Sequence, residues 1–501
     1  MKKNIFIQLK KFNWAIWMLP GLVYQLFFLR TDIFIVPTQS GGGFSDAGID
    51  AEPIRNFLLH GVNTISETGT IFKGPLNSLL WFFITPICST SYVTAKFIFL
   101  LLVTIVFFFI IKNQKQKPIW LLFYFLCCLH PLLGDYLHLP LGEWLSIVCI
   151  FCAITFLKSV VEEKIILSKS LFYSFMFLLF AVLFKVQYAY IIPVLPVGLV
   201  LLLPSFLYEK GVKNLARKIA VVVSIIIGFV FLMWLVWWLP NQERFISYYH
   251  NQDFFRLDRS WKDMCDTRHF WSRVLFYEGE WSVYRLPYKI TLGIAAIILL
   301  LPKKINLKSE IAFVLAWNIF EWHKFNFSYL PERYLLGLFS AGILLMLFVS
   351  FSLLQTFKLY AVPVIAILFF LPLHWELSEA IHRLKTRTYS FDKSQQQLKK
   401  FIGKKDIVIG AYAPALCWNT GCETHYINDT LSNGVNILKR FTPDFILCDS
   451  IEEDIGKAFS AQRIDITQIA TPVYTVHFTF LSNILYKVDK EKWKDAADKV
   501  R

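Results

Sequence analysis

The sequence contains few charged residues. Asp, Glu, Lys and Arg make up only 17% of its 501 residues, whereas soluble globular chains average about 25%. Hydrophobic residues reach 56% and aromatic residues 17%, and the mean hydropathy is +0.50. This balance excludes an ordinary soluble protein and predicts a mainly α, polytopic bundle of transmembrane helices.

The sequence also lacks a concentrated basic patch, although its formal net charge is +15. The lysines occur in short clusters between apolar runs, which indicates membrane topology rather than nucleic-acid binding. No cleavage site of small residues follows the basic and then apolar N-terminus, so we expect a retained anchor. There is no internal repeat and no low-complexity tract.

Apolar runs of roughly 17–25 residues can cross a bilayer, and the sequence predicts about 11 of them. They lie at about residues 13–36, 92–111, 118–134, 142–158, 170–185, 188–208, 218–239, 288–302, 310–325, 334–355 and 358–374. The apolar segment Pro75–Ile87 is shorter, and we interpret it as an interfacial or re-entrant helix. Counting it as a span would move every later lysine cluster to the outside, against the positive-inside rule.

The positive-inside rule orients these spans with a cytoplasmic N-terminus. The opposite side then holds the first outer loop, 37–91, the long loop 240–287 and everything after about residue 375. We expect an integral membrane protein, favour a bacterial inner membrane, and expect a site on the periplasmic or extracellular side.

Residues 375–501 differ from the transmembrane domain of residues 1–374. Charge rises, and apolar runs shorten to strand length at 406–412, 444–450, 473–480 and 482–488, with a helical pattern between them. This pattern predicts a small extracytoplasmic α/β domain. It contains no catalytic triad and no phosphate-binding loop.

Cys417 and Cys422 bracket a four-residue turn in that domain. In an oxidising compartment this turn could close a disulfide, and two free thiols are the alternative. His425 is near, but nothing completes a zinc-ligand pattern.

Acidic residues follow the first predicted span, where the membrane meets the outer water. Asp46 and Asp50 are four residues apart and share a face if the segment is helical, and Arg55 follows Glu52 by about one turn. Carboxylates at this position suit acid–base chemistry on a lipid-linked substrate. The alternative is a solvated amphipathic helix whose acids cap the helix or pair with Arg55.

Further polar residues occur at the predicted outer ends of later spans. Each could instead be an interfacial residue in contact with lipid headgroups, and their location on one side of the membrane is what favours a site. A lone basic residue at an outer span end is a candidate for binding an anionic lipid phosphate. Arginines of the outer loop could bind phosphate through two N–H groups of one guanidinium. The acidic and imidazole candidates are Asp135, His138 and Glu143, and the basic candidates are Lys185, Arg333, Arg256 and Arg259.

Several of these segments resemble the GT-C glycosyltransferases of the protein mannosyltransferase and aminoarabinose-transferase type. Asp46-Ala47-Gly48-Ile49 resembles the acidic opening of the family's first outer loop, and the segment from Ile54 to Gly61 resembles its Ala-Arg-x-Met-Leu-x-x-Gly close at the same spacing. Gly74-Pro75-Leu76 resembles the family's Pro-Pro-Leu segment. Glu143 resembles the acid that begins a later span. The sequence departs from the family at Ala47, which leaves open whether Asp50 or Glu52 contributes to catalysis.

The resemblance implies a GT-C fold and a polyprenyl-phosphate sugar as donor. It implies Asp46 as general base, Asp50 and Glu143 as further catalytic candidates, and Lys185, Arg333 and Arg55 as ligands of the donor phosphate. We place Asp135, His138, Arg256 and Arg259 with substrate binding. No cofactor is predicted, although Asp46 with Glu143 could hold a divalent metal ion. The acceptor would be an envelope glycan, lipid or protein.

Two other functions remain open. A lipid or polysaccharide transporter or flippase would place ionisable groups at the bilayer midplane, often with broken helices or inverted repeats. A non-catalytic membrane assembly protein would use the C-terminal domain to bind a partner.

Overall fold

The computed structural model describes residues 13–32, 42–64, 74–114, 116–162, 169–209, 212–243, 282–301, 305–326, 332–427, 436–449, 453–478 and 481–499. The described part is mainly helical with one small sheet near the C-terminus. Its helices up to residue 398 are α1 Leu19–Leu26, α2 Gly42–His60, α3 Pro75–Cys88, α4 Tyr92–Asn113, α5 Lys117–Leu129, α6 Pro131–Leu137, α7 Gly142–Glu162, α8 Lys169–Phe184, α9 Val194–Leu201, α10 Leu203–Glu209, α11 Val212–Met233, α12 Ser282–Leu300, α13 Lys308–Glu321, α14 Leu336–Phe357, α15 Val362–Thr386 and α16 Ser390–Leu398.

Five helical stretches of the described residues are long and apolar enough to cross a membrane. They are Tyr92–Asn113, Val186–Ser205, Leu215–Met233, Val283–Leu300 and a stretch within Leu336–Leu398. The pair α5 and α6 would make a sixth, broken by a 90° bend. Shorter apolar helices cover Pro75–Cys88, Gly142–Phe156 and Lys169–Phe184. The chain is thus built around membrane-spanning helices, and the figure of about 11 spans stays a prediction.

Helix α3 has the length expected of an interfacial segment. Its 14 residues extend only about 21 Å at 1.5 Å per residue, short of the roughly 30 Å of a bilayer core. Gly74 and Pro75 begin the helix, and the fixed backbone angle of proline suits that first position. It contacts α2, α8 and α4.

The C-terminal unit, residues 403–499, is a five-stranded mixed sheet with helices. Its strands are β1 Ile407–Ile409, β2 Glu423–His425, β3 Phe445–Asp449, β4 Ala470–Phe478 and β5 Leu481–Val488. Its helices are α17 Ala413–Leu416, α18 Ile437–Arg440, α19 Glu453–Ala461, α20 Ile466–Ile469 and α21 Lys490–Lys499. The strand order is β2-β1-β3-β5-β4, and the pairs β1–β2 and β1–β3 are parallel while β3–β5 and β4–β5 are antiparallel.

Trp418 connects the core of the helical bundle with the C-terminal unit. Its ring is fully buried and lies 5.5 Å from the ring of Trp81 on α3 and 5.3 Å from that of Tyr92 on α4. Its Nε1 donates to the carbonyl of Cys88 at 2.9 Å. Burial of a large aromatic ring together with its polar atom is strongly stabilising, so the C-terminal unit is held firmly against α3 and α4.

Candidate functional site

A buried ion pair joins the adjacent ends of α7 and α8. Lys185, directly after α8, donates from Nζ to Oε1 of Glu143 in the first turn of α7. Lys185 is 6% exposed and Glu143 is 3% exposed. Charges are retained in an apolar interior when each has a partner. Two residues that the sequence proposed separately, one for catalysis and one for phosphate binding, therefore lie together.

Asn77 of α3 lies between this ion pair and α2. Its Nδ2 donates to Oδ2 of Asp50 at 3.4 Å. A Cβ added to Gly142 would lie 3.5 Å from Asn77 Oδ1 and 3.1 Å from the carbonyl oxygen of Phe184. The glycine before Glu143 thus lets α7 approach the end of α8 closely, with Asn77 of α3 at an ordinary van der Waals distance.

Asp46 lies one helical turn before Asp50 on α2, and residues four apart share a helix face. Asp50 is buried and Asp46 is half-buried, so Asp46 is the carboxylate of the two with access to water. We call the set contributed by these four helices the polar cluster: Asp46, Asp50, Asn77, Glu143 and Lys185.

A second buried ion pair lies beyond the 3₁₀ turn Val186–Ile191, which follows Lys185. Lys324 Nζ donates to Glu321 Oε2 at 2.5 Å and to the carbonyl of Tyr334 at 2.6 Å. Glu321 Oε1 accepts from the hydroxyl of Tyr190 at 2.5 Å and from Trp317 Nε1 at 2.8 Å. Sequence reasoning did not assign this pair to the site. The sequence pattern that could have indicated this ion pair is an acid and a base three residues apart at the end of an apolar helix.

Arg333 is next to this second pair. It lies in the 3₁₀ turn Glu332–Leu335, one residue before Tyr334, whose carbonyl accepts from Lys324. The structure describes the backbone of this turn but not the Arg333 side chain. Arg256 and Arg259, predicted to bind substrate, lie outside the described residues.

An aromatic groove opens between α12, α14 and the 3₁₀ turn Trp322–Asn326. Tyr288 ties its walls together, since its hydroxyl accepts from Trp322 Nε1 at 3.0 Å and donates to Asn318 Oδ1 at 2.9 Å. Arg285 adds a charged group to the lining. The remaining lining residues are Tyr284, Phe325, Leu338, Phe339, Gly342, Ile343 and Met346. The groove is mainly apolar and is adjacent to the Glu321–Lys324 pair through Trp322.

Arg55 does not face the polar cluster. Its guanidinium donates to the carbonyls of Ser89 at 2.9 Å and Trp418 at 3.1 Å, and it lies 3.9 Å from the centre of the Trp418 ring. Burial lowers the pKa of Arg55 to about 10. These contacts use the guanidinium to dock the C-terminal unit, and phosphate binding by Arg55 stays a prediction.

Other residues of α2 dock the same unit. Asn56 pairs with the backbone of Thr424 on β2, donating to its carbonyl at 2.7 Å and accepting from its N–H at 3.3 Å. Glu52 accepts from the N–H of Tyr426 at 3.1 Å, and His60 lies 3.1 Å from the carbonyl of Gly421. Partial burial lowers the pKa of His60. Helix α2 therefore has two polar faces. One carries Asp46 and Asp50, and the other contacts the C-terminal unit.

Asp135 and His138 are also held by structural contacts. Asp135 of α6 forms an ion pair with Arg383 of α15, and both are buried. His138 Nδ1 lies 2.9 Å from Oε1 of Gln25 on α1, and Gln25 Nε2 donates to the carbonyl of Cys128 at 2.7 Å. These contacts brace the sharp bend between α5 and α6, so we interpret both residues as supports of the bundle instead of substrate ligands.

Cys417 and Cys422 are buried free cysteines in the structure, not the predicted disulfide. Their thiols are hydrogen-bonded to each other, which together with burial raises the pKa of Cys417. A raised thiol pKa disfavours the nucleophilic thiolate. The turn they bracket carries Trp418 and Gly421, so the pair supports the docking contacts with α2.

The described residues include no group of three or more His, Cys, Asp and Glu side chains in a metal-ligating arrangement. Glu143, one of the two carboxylates considered for a divalent ion, has Lys185 as its partner. A cation beside an ammonium group is electrostatically unfavourable, so we assign no metal ion to the polar cluster.

No protein-family model and no curated protein sequence matches this chain. Solved structures that match include the archaeal oligosaccharyltransferase AglB from Archaeoglobus fulgidus in complex with an inhibitory peptide and a dolichol-phosphate. It is 10% identical, with a TM-score of 0.49 over 88% of this chain and 70% of that one. The Archaeoglobus fulgidus oligosaccharyltransferase in the apo form is 10% identical, with a TM-score of 0.46 over 96% of this chain and 75% of that one. The same enzyme, tethered through a disulfide bond to an acceptor peptide containing the NVT sequon, is 10% identical. Its TM-score is 0.47 over 97% of this chain and 75% of that one. Similarity at this level carries no argument about the activity of this chain.

Proposed function

We propose that this chain is a membrane glycosyltransferase of GT-C type, which moves a sugar from a polyprenyl-phosphate donor to an acceptor at the outer face of the membrane. The observation that carries the proposal is the polar cluster. Asp50, Asn77, Glu143 and Lys185 come from four separate elements, and the last three lie at or near the ends of apolar helices. Burying ionisable side chains within a membrane-spanning bundle costs free energy, so residues of this kind are rare there and indicate a functional site.

Asp46 is the general base in this proposal. It is half-buried, whereas Asp50 one turn further on is buried against Asn77. An acceptor hydroxyl or amine arriving from water therefore meets Asp46 first. Asp46 takes the acceptor proton as the new bond to the sugar C1 forms and the bond from C1 to the phosphate oxygen breaks.

Cationic side chains stabilise the phosphate that leaves. Lys185 serves this purpose from the polar cluster and Arg333 from the turn beside Lys324, and we add Lys324 to this group. Fixed positive charge beside a developing phosphate anion lowers the barrier, most strongly where water is excluded. Glu143 and Glu321 hold the two lysines in place before the donor arrives.

The aromatic groove accommodates part of the polyprenyl tail. Tyr288, Trp322 and Phe339 present rings to it, and Trp322 adjoins the Glu321–Lys324 pair. An isoprenoid chain is apolar and gains free energy by contact with aromatic and aliphatic side chains. Arg285 at the same groove is suited to a charged headgroup.

One observation favours a transporter or flippase as a second candidate. Helices α5 and α6 form a bent pair, and the buried Asp135–Arg383 ion pair lies at the bend. Broken helices with buried charges recur at transport sites. We rank this function second because Asp135 and Arg383 form an ion pair with each other, which accounts for both charges without a transported ligand.

Co-purification with lipids tests the proposed function. The wild-type chain, isolated in a mild detergent and analysed by native mass spectrometry, should carry a ligand of the mass of a polyprenyl phosphate bearing a sugar. Lys185→Met combined with Lys324→Met should lose that ligand, because both cations near the phosphate are removed. A wild-type protein that carries only bulk phospholipids would count against a glycosyltransferase.

A further inference from the structure

Two hydrogen-bond acceptors of the polar cluster remain unused by the protein. Asn77 is 1% exposed and Glu143 is 3% exposed. Asn77 Oδ1 and Glu143 Oε2 accept no hydrogen bond from any residue that the structure describes. A buried acceptor without a donor costs about 1–3 kcal/mol, and two of them among the residues of the polar cluster, next to its charged groups, favour a ligand that supplies the donors.

Both side chains belong to the contact between α3 and the start of α7. Asn77 Oδ1 would lie 3.5 Å from a Cβ on Gly142, the residue before Glu143. Asn77 is oriented by its other atom, since Nδ2 donates to Asp50. Glu143 is oriented in the same way, because Oε1 accepts from Lys185 and leaves Oε2 for another partner. One end of each side chain is thus fixed, and the other end is presented to the site.

The chemistry of these acceptors favours a neutral hydroxyl group. An anion at Asn77 Oδ1 and Glu143 Oε2 would meet oxygen acceptors and the Asp50 carboxylate, so in this proposal the phosphate lies on the Lys185 side of the cluster and not at these two oxygens. A metal ion would lie beside the Lys185 ammonium, and the described residues hold no group of three or more metal-ligating side chains. A hydroxyl donates one hydrogen bond without adding charge, and neighbouring hydroxyls of a pyranose can supply two.

We propose that Asn77 Oδ1 and Glu143 Oε2 form an acceptor pair that recognises hydroxyl groups of the transferred sugar. The assignment rests on the proposed function and deepens it, because it identifies the residues that distinguish a glycosylated lipid from the bare lipid phosphate. Asn77 then determines sugar specificity, while Lys185 and Lys324 bind the phosphate that both lipids share.

Titration with lipids that carry a sugar and with a lipid that does not tests the acceptor pair. The probes are undecaprenyl-phosphate hexoses with glucose, galactose or mannose stereochemistry, and undecaprenyl phosphate without a sugar. Asn77→Leu removes the acceptor at nearly constant volume. It should weaken binding of the preferred hexose lipid about tenfold, the effect of one hydrogen bond of roughly 1.4 kcal/mol. Its affinity for undecaprenyl phosphate should equal that of the wild type, which also shows that the variant is folded.

Asn483→Leu is the matched control. Asn483 is also fully buried, and its side-chain atoms likewise have no hydrogen-bond partner among the described residues, but it lies on β5 of the C-terminal unit. This variant should bind both lipids like the wild type. If Asn77→Leu fails to fold, Asn77→Ser, whose hydroxyl is too short to reach the same position, is measured in its place with the same expected result.

The outcomes separate this inference from the proposed function. Equal weakening of both lipids, or no change in either, would overturn the sugar-recognising role of Asn77 while leaving a lipid site intact. A preference of the wild type for hexose lipids that disappears with EDTA and returns with Mg²⁺ would also overturn it, since the acceptors would then be metal ligands. A wild-type protein that binds neither lipid would contradict the proposed function itself.

Discussion

At the scale of single residues, the chain keeps several charged groups in its apolar interior as ion pairs. Lys185 with Glu143, Lys324 with Glu321, and Arg383 with Asp135 are three such pairs. The sequence identified Lys185 through its position on the side of the membrane that has few lysines. It did not reveal the partner, because 42 residues separate Lys185 from Glu143 and only the packing of α7 on α8 brings them together.

Removing one member of a buried pair should destabilise the protein more than removing both. Lys185→Met leaves the Glu143 carboxylate without its counter-ion, and the expected loss is about 3–5 kcal/mol. The double variant Lys185→Met/Glu143→Gln should recover most of the lost thermal stability, because no isolated charge remains. Unfolding temperatures measured in the same detergent test this.

Donor binding should not recover in that double variant, since Lys185 acts on the phosphate in our proposal. The matched control is Arg383→Met/Asp135→Asn, which removes a buried pair outside the polar cluster. It should keep donor binding. A double variant of Lys185 and Glu143 that binds donor like the wild type would show that this pair is structural only.

At the scale of elements, α2 presents two polar faces to two different partners. Successive residues of a helix turn by 100°, so Asp46 and Asp50 share one face, while Glu52, Asn56 and His60 share another. The sequence shows a polar helix but not which surface lies against each face. The first face meets Asn77 of α3 and the second meets β2, while Arg55 donates to the carbonyls of Ser89 and Trp418.

Gly48 allows this helix to approach the C-terminal unit closely. A Cβ there would lie 2.6 Å from the backbone nitrogen of Ala415 on α17, closer than side chains tolerate. The family resemblance included Gly48 within its acidic opening but gave no reason for a glycine. In the structure, a residue with a Cβ at position 48 would collide with α17, which explains the glycine.

Asn56→Leu should loosen the docking of β2 on α2. It removes both hydrogen bonds to the Thr424 backbone and leaves a buried N–H and carbonyl unpaired, at about 2 kcal/mol. Hydrogen–deuterium exchange of the 423–426 peptide should therefore accelerate. Phe57→Leu changes the adjacent residue, which is 45% exposed, and should leave that exchange unchanged. Unaltered exchange in Asn56→Leu would contradict the docking role of α2.

At the scale of the whole molecule, hydropathy predicted the helical character and the small C-terminal sheet. The predicted strands at 406–412, 444–450, 473–480 and 482–488 coincide with β1, β3, β4 and β5. The strand β2 was not predicted because its three residues, Glu423–His425, contain no apolar run. Such an edge strand forms only because β1 and Asn56 of α2 satisfy its backbone.

The arrangement of the predicted spans depends on tertiary packing that periodicity does not contain. The run predicted at 118–134 is two helices with a 90° bend, and the run predicted at 358–374 continues as α15 to Thr386. The continuation carries Arg383 back into the bundle to meet Asp135. Such contacts place polar residues of distant spans together, whereas the sequence alone only predicts the side of the membrane on which they lie.

The central claim is that the carboxylates of α2 activate an acceptor for sugar transfer from a lipid phosphate. The most direct test measures transfer of radiolabelled sugar from an undecaprenyl-phosphate hexose to the acceptors in a membrane fraction, comparing wild type with Asp46→Asn. Asp498→Asn is the control, because Asp498 is an exposed acid on α21. The account predicts that Asp46→Asn lowers transfer at least about a hundredfold, the usual contribution of a general base, with unchanged thermal stability and unchanged transfer in the control. Transfer at the wild-type rate by Asp46→Asn would contradict it.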